Sequence, residues 1–510
     1  MNNHKITHLN DLEQVTRDLK NKKKVVGLCH GTFDLLHIGH IKHFYEAKSK
    51  CDILLVTLTP DKYVNKGPGR PLFNEKLRAE AIAALECVDF VAVNHWPAAV
   101  KLISKIQPNI YIKGKDYVNL KDDLSGNILL EKKAVESYGG KLQFTTSEKF
   151  SSSNLIAQGF SDFNEDQKTF IKDLQKDFEP KYFYEVMDRC KKIAVGVVGE
   201  LIVDQYIYCE TVGKSGKEPM LVHKVNNTEK FLGGVGALGQ ILTNFVSRID
   251  IITCVGENEE EIDFIKDNYP SNGKIFYIRK SDSPTIVKTR YINDYTKSKL
   301  IGFYDINDNM LSETDEKKFQ QILLSELKKY DVVIEIDYGH GLISKSSQNL
   351  IRSKSSFFTS NSQINSFNYN FHDLSQYTNL DLLCINESEL YSHFRARSGL
   401  IKDLMYQLKE ELKCRNLIIT RGSKGSIGLD KNNQLINCPS FTNKIVDRVG
   451  AGDAYLGSVS ITLAAGATLK AAMFFSSILA GEIVSSMGTG KAIYKDYIWK
   501  SIEAVMKRGD

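Results

Sequence analysis

Four short apolar runs, each separated from the next by helix-period sequence, constrain this chain more than anything else in it. "KVVGL" (24–28), "CDILLVTLT" (51–59), "VDFVAVN" (88–94) and "PNIYIKG" (108–114) are strand-length and apolar almost throughout, the pattern of strands buried on both faces. Between them lie amphipathic segments such as "NEKLRAEAIAALEC" (74–87). Strands that alternate with helices pair in parallel, so this part of the chain reads as an α/β domain, expected over residues 22–156. A charged, amphipathic stretch at 157–190 reads as a linker plus a helix. The strand pattern then restarts at "KIAVGVVGELIVDQY" (192–206) and returns at 249–256, 330–337, 380–387 and 416–430. A second α/β domain is expected over 191–505. Within it, 206–232 and 285–305 alternate like antiparallel strands, which predicts a small β-sheet projecting from the body. The Ser/Asn-rich stretch 352–379 reads as a loop-rich segment at the mouth of a site. At 510 residues the chain is too long for one ordinary core, in keeping with two domains.

Charge narrows the partners. The net charge is +5, and the lysines are interspersed with acids, as in "KLRAE" and "DEKKF". That suits small anionic substrates and argues against a nucleic-acid surface. Nine cysteines include no CxxC pair, the first residues are polar, and no stretch approaches the roughly 20 apolar residues of a membrane span. A soluble cytoplasmic protein with reduced thiols and no membrane partner is expected.

Two motifs carry chemistry. In "CHGTFDLLHIGHIKHF" (29–44) a strand runs into Gly31 and a helix is expected from His37 or Ile38. Such a junction aims free backbone N–H groups at one point and favours bound phosphate. His37 and His40, three apart, share a helix face and can both donate to phosphate oxygens. A metal site would need three or four converging ligands, and no acidic or cysteine partner stands at a telling distance. His30 and His43 read as bystanders. In "VDRVGAGDAYLG" (446–457) a glycine-rich turn opens an apolar helix. Gly450, Ala451 and Gly452 can point N–H groups at an anion, and Asp453 beside them is suited to deprotonating an alcohol that attacks a γ-phosphate. An ordinary helix-start aspartate, stabilised by the dipole, is the alternative.

"GTFDLLHIGH" resembles the signature of the nucleotidyltransferase superfamily, cytidylyltransferases included. "NKGPGRPLFNEKLRAEAIAALECVDFV", "PNIYIKGKDY" and "KFSSSNLI" resemble the adenylyltransferase half of the bifunctional heptose-phosphate kinase/heptose-1-phosphate adenylyltransferases. The resemblance implies a Rossmann-like domain. His37 and His40 would hold nucleotide phosphates, with Gly31 at the loop and Thr32 and Phe33 lining the mouth of the nucleotide site. Lys66 and Arg70 would neutralise the triphosphate, Asp116 would sit near the nucleotide, and Ser151, Ser152 and Ser153 would cap its phosphates. Thr32 leans toward the cytidylyltransferases, so CTP and ATP both stand as the nucleotide. "HIGH" is also the class I aminoacyl-tRNA synthetase signature, but no anticodon-binding module is evident.

The second half is similar to the ribokinase-like (PfkB) sugar kinases, which implies a ribokinase-like α/β domain with a small β-sheet lid. Asp453 matches the catalytic base, Gly450–Gly452 the anion hole, and "TRGSKG" (420–425) the nucleotide turn, through Thr420, Gly422 and Gly425. "NESE" (386–389) matches a motif in which Asn386 and Glu389 organise Mg2+ through water. "GELIVDQY" and "FLGGVGALG" match the acceptor side, through Asp204, Gly233 and Gly234. Three departures stand out: Ala237 where the family carries an asparagine facing the sugar, Arg448 and Val449 before GAGD, and a transferase-first domain order that reverses the heptose enzymes. The resemblance implies Mg2+, ATP for the kinase, nucleoside triphosphates and sugar phosphates as ligands, and a homo-oligomer, a dimer. The expected activity is a sugar (phosphate) kinase joined to a sugar-1-phosphate nucleotidyltransferase, making an ADP- or CDP-linked, heptose-like sugar for surface glycan such as lipopolysaccharide or capsule. The alternative is a cytidylyltransferase, acting on a sugar or polyol phosphate, with a catalytically degenerate, kinase-like sensing half.

Overall fold

The computed structural model describes residues 4–64, 71–114, 127–146, 163–365, 368, 373–397, 399–442, 445–485 and 493–507. The chain divides into two compact units, Met1–Asn164 with Glu503–Asp510, and Glu165–Ile502.

In the first unit, strands β1 (Val26–Gly31), β2 (Ile53–Leu58), β3 (Phe90–Val93), β4 (Ile110–Lys113) and β5 (Lys141–Phe144) form one sheet in the order β3-β2-β1-β4-β5. Every pairing is parallel. The helices are α1 (Leu9–Asn21), α2 (Ile38–Lys48), α3 (Glu75–Ala83), α4 (Val100–Ile106) and α5 (Asn127–Glu136). The two-residue period of the strands sorts the core into two layers. Cys29, Leu54, Val56 and Val91 pack with Phe44 of α2 and Ile82 of α3. Leu28, Leu55, Ala92 and Tyr111 face the other way, with Leu12 of α1 and Leu102 of α4. This is the doubly wound, Rossmann-like arrangement that the apolar runs predict. Helix α1 lies ahead of residue 22 and yet belongs to this core, and Ile6 bridges Val91 on the sheet edge. Strand order reverses between β1 and β4, and the crevice at such a reversal, past the carboxyl ends of the strands, is where open α/β sheets bind ligands.

The second unit opens with helices α6 (Glu165–Asp177) and α7 (Pro180–Cys190). Its body is a nine-stranded sheet built from β6 (Ala194–Gly199), β9 (Arg248–Val255), β10 (Ile275–Arg279), β13 (Val332–Asp337), β14 (Phe358–Ser362), β15 (Leu382–Asn386), β16 (Asn416–Thr420), β17 (Ser426–Leu429) and β18 (Leu435–Cys438). Their order is β10-β9-β6-β13-β14-β15-β16-β17-β18, parallel up to β16 and antiparallel beyond it. A separate four-stranded sheet, β12-β11-β7-β8, joins β7 (Leu201–Lys214), β8 (Leu221–Gly233), β11 (Val287–Asn293) and β12 (Lys299–Asp305). It is the projecting lid that the alternation at 206–232 and 285–305 predicts. The body helices are α8 (Gly234–Leu242), α9 (Glu259–Asn268), α10 (Glu313–Glu326), α11 (Lys345–Lys354), α12 (Glu387–His393), α13 (Ile401–Leu412), α14 (Ala451–Ala464) and α15 (Leu469–Val484). Phe319 of α10, Ile351 of α11 and Leu408 of α13 share one core with Val198, Val333 and Leu383 of the sheet. Helix α14 packs on α15, α8 and β13.

One segment departs from its expected structure. Within the Ser/Asn-rich stretch, "FTSNS" is the interior strand β14, paired on both sides. Three of its polar side chains are hydrogen-bonded: Ser360 Oγ donates to Glu335, Asn361 Nδ2 to the carbonyl of Cys384, and Thr359 Oγ1 accepts from Ser460. Satisfied hydroxyls and amides can be buried where unsatisfied ones cannot.

Candidate active sites

In the first unit, β1 ends at Gly31 and α2 begins at Ile38, with His37 as its N-cap. The His37 Nδ1 accepts from Gly39 N at 3.0 Å, which fixes the ring and its tautomer. The His37 and His40 rings then stack, with centroids 3.9 Å apart and planes inclined by 24°. Phe33 braces His40 edge-on at 5.3 Å and packs on Phe44 at 4.9 Å. Phe33 is 8% exposed, its ring packed between His40 and Phe44. It has a positive φ of 46°, and a Cβ at Gly31 would fall 2.9 Å from the end of its ring, so a larger residue there would have to displace that ring. The other two histidines are held by threonines. His30 Nδ1 lies 3.0 Å from Thr57 Oγ1, and His43 Nδ1 lies 2.8 Å from Thr145 Oγ1. Burial pushes their pKa values down, to about 3 and about 4, so both are neutral.

Arg78 escaped the sequence reading because "KLRAE" has the look of a wet helix face. The structure buries it at 1% exposure. Its guanidinium donates to the carbonyls of Thr32, Phe73 and Thr59 and to the Asp61 carboxylate. One side chain thus ties the loop after β1 to the loop after β2. Lys113, at the carboxyl end of β4, pairs with Glu131 at 3.2 Å and stands across the strand-order reversal from β1. Lys66, Arg70, Asp116 and Ser151–Ser153 lie outside the described residues.

In the second unit the turn before α14 places Gly450 at φ 77° as N-cap, with Ala451, Gly452 and Asp453 in the first turn. The first-turn N–H groups of a helix have no intrahelical acceptor and are directed outward. Asp453 Oδ2 accepts from Tyr338 Oη at 2.8 Å. Burial pushes the Asp453 carboxyl up to about 6, outweighing the Tyr338 hydrogen bond and the Lys288 charge that lower it. A carboxylate poised there can take a proton from an alcohol near neutral pH. A cavity of about 430 Å³ brings together Asn386, Thr420, Gly422, Gly425, Ala451 and Gly452. Gly425, at φ 83°, leaves no space for a side chain against the backbone of Cys438 and Pro439. Six residues singled out by motif, spread over sixty-odd positions, therefore share one hollow.

Asn386 and Glu389 form a reciprocal capping box. Asn386 Oδ1 accepts from Glu389 N at 2.9 Å, and Glu389 Oε2 accepts from Asn386 N at 2.7 Å. Glu389 Oε1 accepts from Ile364 N as well, and burial pushes the carboxyl up to about 7. Among the described residues no group of three or more His, Cys, Asp or Glu could hold a metal ion. Both Glu389 carboxylate oxygens and Asn386 Oδ1 already accept from backbone N–H groups, so this pair could meet a phosphate-borne cation only through water.

Where the resemblance expects the acceptor, Asp204 of β7 is 5% exposed and ion-paired with Arg290 of β11. Gly233 lies so close that a Cβ would collide with the Asp204 carboxylate, and Gly234 abuts the Glu200 carbonyl. Ala237 is buried in α8 and offers no amide. The Glu200 carboxylate accepts from Tyr338 N and His340 N, both at 3.0 Å, and so fixes the loop that carries Tyr338. Asp447 ties the lid to the anion-hole turn: it accepts from Lys299 Nζ, Tyr206 Oη and Val449 N.

Residues 192–495, more than half of the chain, match the pfkB family carbohydrate kinases. The chain belongs to that family. Residues 28–159 match the cytidylyltransferase-like family. Bifunctional protein HldE of Geotalea uraniireducens is 38% identical over 144 residues, 28% of each chain. Bifunctional protein HldE of a Nitratiruptor species is 26% identical over 306 residues, 59% of this chain and 63% of its own. The matches thus span under two thirds of these relatives. The Escherichia coli phosphofructokinase-2 crystal structure in complex with potassium covers 61% of this chain and 99% of its own at a TM-score of 0.50 and 14% identity, a likeness of fold. Among the described residues no helix is long and apolar enough to cross a membrane.

Proposed function

We propose that the chain is a bifunctional enzyme of activated-sugar synthesis, a sugar phosphate kinase joined to a sugar-1-phosphate nucleotidyltransferase. The observation that carries it is Asp453, hydrogen-bonded to Tyr338 in the first turn of α14 beside the hollow that holds the nucleotide-turn residues. Asp453 takes the proton of the acceptor hydroxyl as that oxygen attacks the γ-phosphorus of ATP. The bond from the γ-phosphorus to the β-bridging oxygen breaks, and ADP leaves with the electron pair. The α14 N–H groups stabilise the charge that develops on the phosphoryl oxygens. Mg2+, reached through water from Asn386 and Glu389, would supply further charge neutralisation.

In the first unit an acceptor phosphate oxygen attacks the α-phosphorus of a nucleoside triphosphate, and pyrophosphate leaves. No protein nucleophile is needed; the stacked His37–His40 pair at the α2 N-terminus holds phosphate oxygens in place. Resemblance to the heptose-phosphate enzymes supports a heptose-like acceptor, with CTP or ATP as nucleotide. Nine unpaired cysteines support a cytoplasmic protein. Exposed Val212, Leu221, Val225, Ile301 and Phe303 on the lid strands support a homodimer.

The test is to incubate the protein with each nucleoside triphosphate and a set of sugar phosphates and to read product masses. An NDP-sugar with pyrophosphate, and a second phosphate added from ATP, are expected. Absence of either product sinks that half of the reading.

A further inference from the structure

A cation taken out of water needs a counter-charge. Strand β11 of the lid carries two cations, and they differ in this respect. Arg290 is ion-paired with Asp204. For Lys288, no carboxylate among the described residues lies within ion-pair distance. Its Nζ lies 3.2 Å from His340 Nε2, and 5.6 Å and 5.9 Å from the ring centres of Tyr304 and Tyr338. Burial lowers its pKa, partly offset by the charge of Asp204.

The surroundings hold this ammonium in place. His340 is 1% exposed, and its Nδ1 lies 2.7 Å from Asp308 Oδ1. With the proton on Nδ1 and donated to Asp308, Nε2 is left to accept from Lys288. Burial, with Lys288 itself, lowers the His340 pKa and keeps the ring neutral. Glu200 holds the His340 backbone, and Lys280 Nζ donates to the His340 carbonyl. Lysine has three N–H donors, so one bond to His340 leaves two for a ligand.

Position says which ligand. Lys288 pairs with Asp204 across β11 and β7 and lies over the ring of Tyr338, whose hydroxyl is on Asp453. It therefore stands beside the acceptor residue and the base. It does not line the hollow that contains Thr420, Gly422 and Gly425.

We propose that Lys288, oriented by His340, is the counter-charge for a phosphate group that the kinase acceptor already carries, and selects sugar phosphates over free sugars. The inference rests on the kinase reading. The γ-phosphate of ATP is the other source of the same chemistry, and the experiment separates the two. Full-length wild type, Lys288→Met and Lys288→Arg are assayed for ADP release with ATP and a panel of hexose and heptose phosphates, each paired with its free sugar. Binding of each sugar phosphate is measured by calorimetry, and melting curves check folding. The wild type is expected to prefer phosphorylated acceptors. Lys288→Met is expected to raise KM for them and to lower their kcat/KM about 10- to 100-fold more than that of the free sugars, the worth of a hydrogen bond to a charged group. Lys288→Arg recovers part of the loss. Equal losses with both acceptor types, or a rise confined to KM for ATP, assign Lys288 to the transferred phosphate and overturn the proposal. If no acceptor is turned over, the kinase reading fails; phosphate-dependent binding that Lys288→Met abolishes then still supports the subsite, and its absence overturns it.

Discussion

The two units solve one problem at different chain distances. On the proposed reading, each presents phosphate to the start of a helix. The first builds its clamp from neighbours: Gly31, Phe33, His37 and His40 lie within ten residues, and the stacked rings are held by Gly39 N and Phe33. The second collects its parts from afar: the Tyr338–Asp453 bond spans 115 positions, and Asp204 meets Arg290 over 86. A local site can be read as a motif. A collected site depends on the whole sheet holding its strand ends together.

The largest test of this contrast is chemical separation. Asp453→Asn should lower ATP-dependent phosphoryl transfer about 10²–10⁴-fold while pyrophosphate release in the same preparation is retained. Parallel loss of both activities would break the assignment of separate sites. His40→Ala is expected to do the reverse, lowering pyrophosphate release about 10²–10³-fold, the range for a lost oxyanion donor, with ADP release unaffected.

Arg78→Met tests how local the first site is. Its loss leaves the Thr32, Thr59 and Phe73 carbonyls without their donor, at a cost of roughly 3 kcal/mol in the denaturant unfolding of the first unit. An unchanged denaturation midpoint would show that the loop after β1 stands without its long-range tie.

The smallest expected effect is in pH. Asp453 acts as a base only when ionised, and its carboxyl sits at about 6. Kinase kcat/KM should therefore fall tenfold per unit as pH drops below about 6. The Tyr338 hydrogen bond lowers that pKa, so Tyr338→Phe should move the acidic limb to higher pH. A limb that stays in place would mean that another group controls it.

Much of this architecture is legible in order of residues. Uniform apolar runs give parallel strands because both faces are covered, and alternation at 206–232 and 285–305 gives a lid because one face is not. Six of the motif residues singled out by resemblance line one hollow. Other features were hidden for physical reasons. β14 carries no apolar pattern, because its burial is compensated by hydrogen bonds to Glu335, Cys384 and Ser460 that no local window contains. Asn386 and Glu389 match a metal-organising motif, and the same spacing makes a capping box, so sequence cannot separate the two.

By itself, then, the sequence determined the α/β class, the lid and the places where a glycine-bearing loop runs into a helix start, because periodicity and glycine geometry act over a few residues. Only the tertiary structure decided which charges are paired. Arg78 looks exposed and is enclosed by carbonyls, while Arg290 and Lys288, two residues apart on one strand, differ in having a carboxylate partner among the described residues. Burial and counter-charge depend on distances between segments that the fold alone brings together.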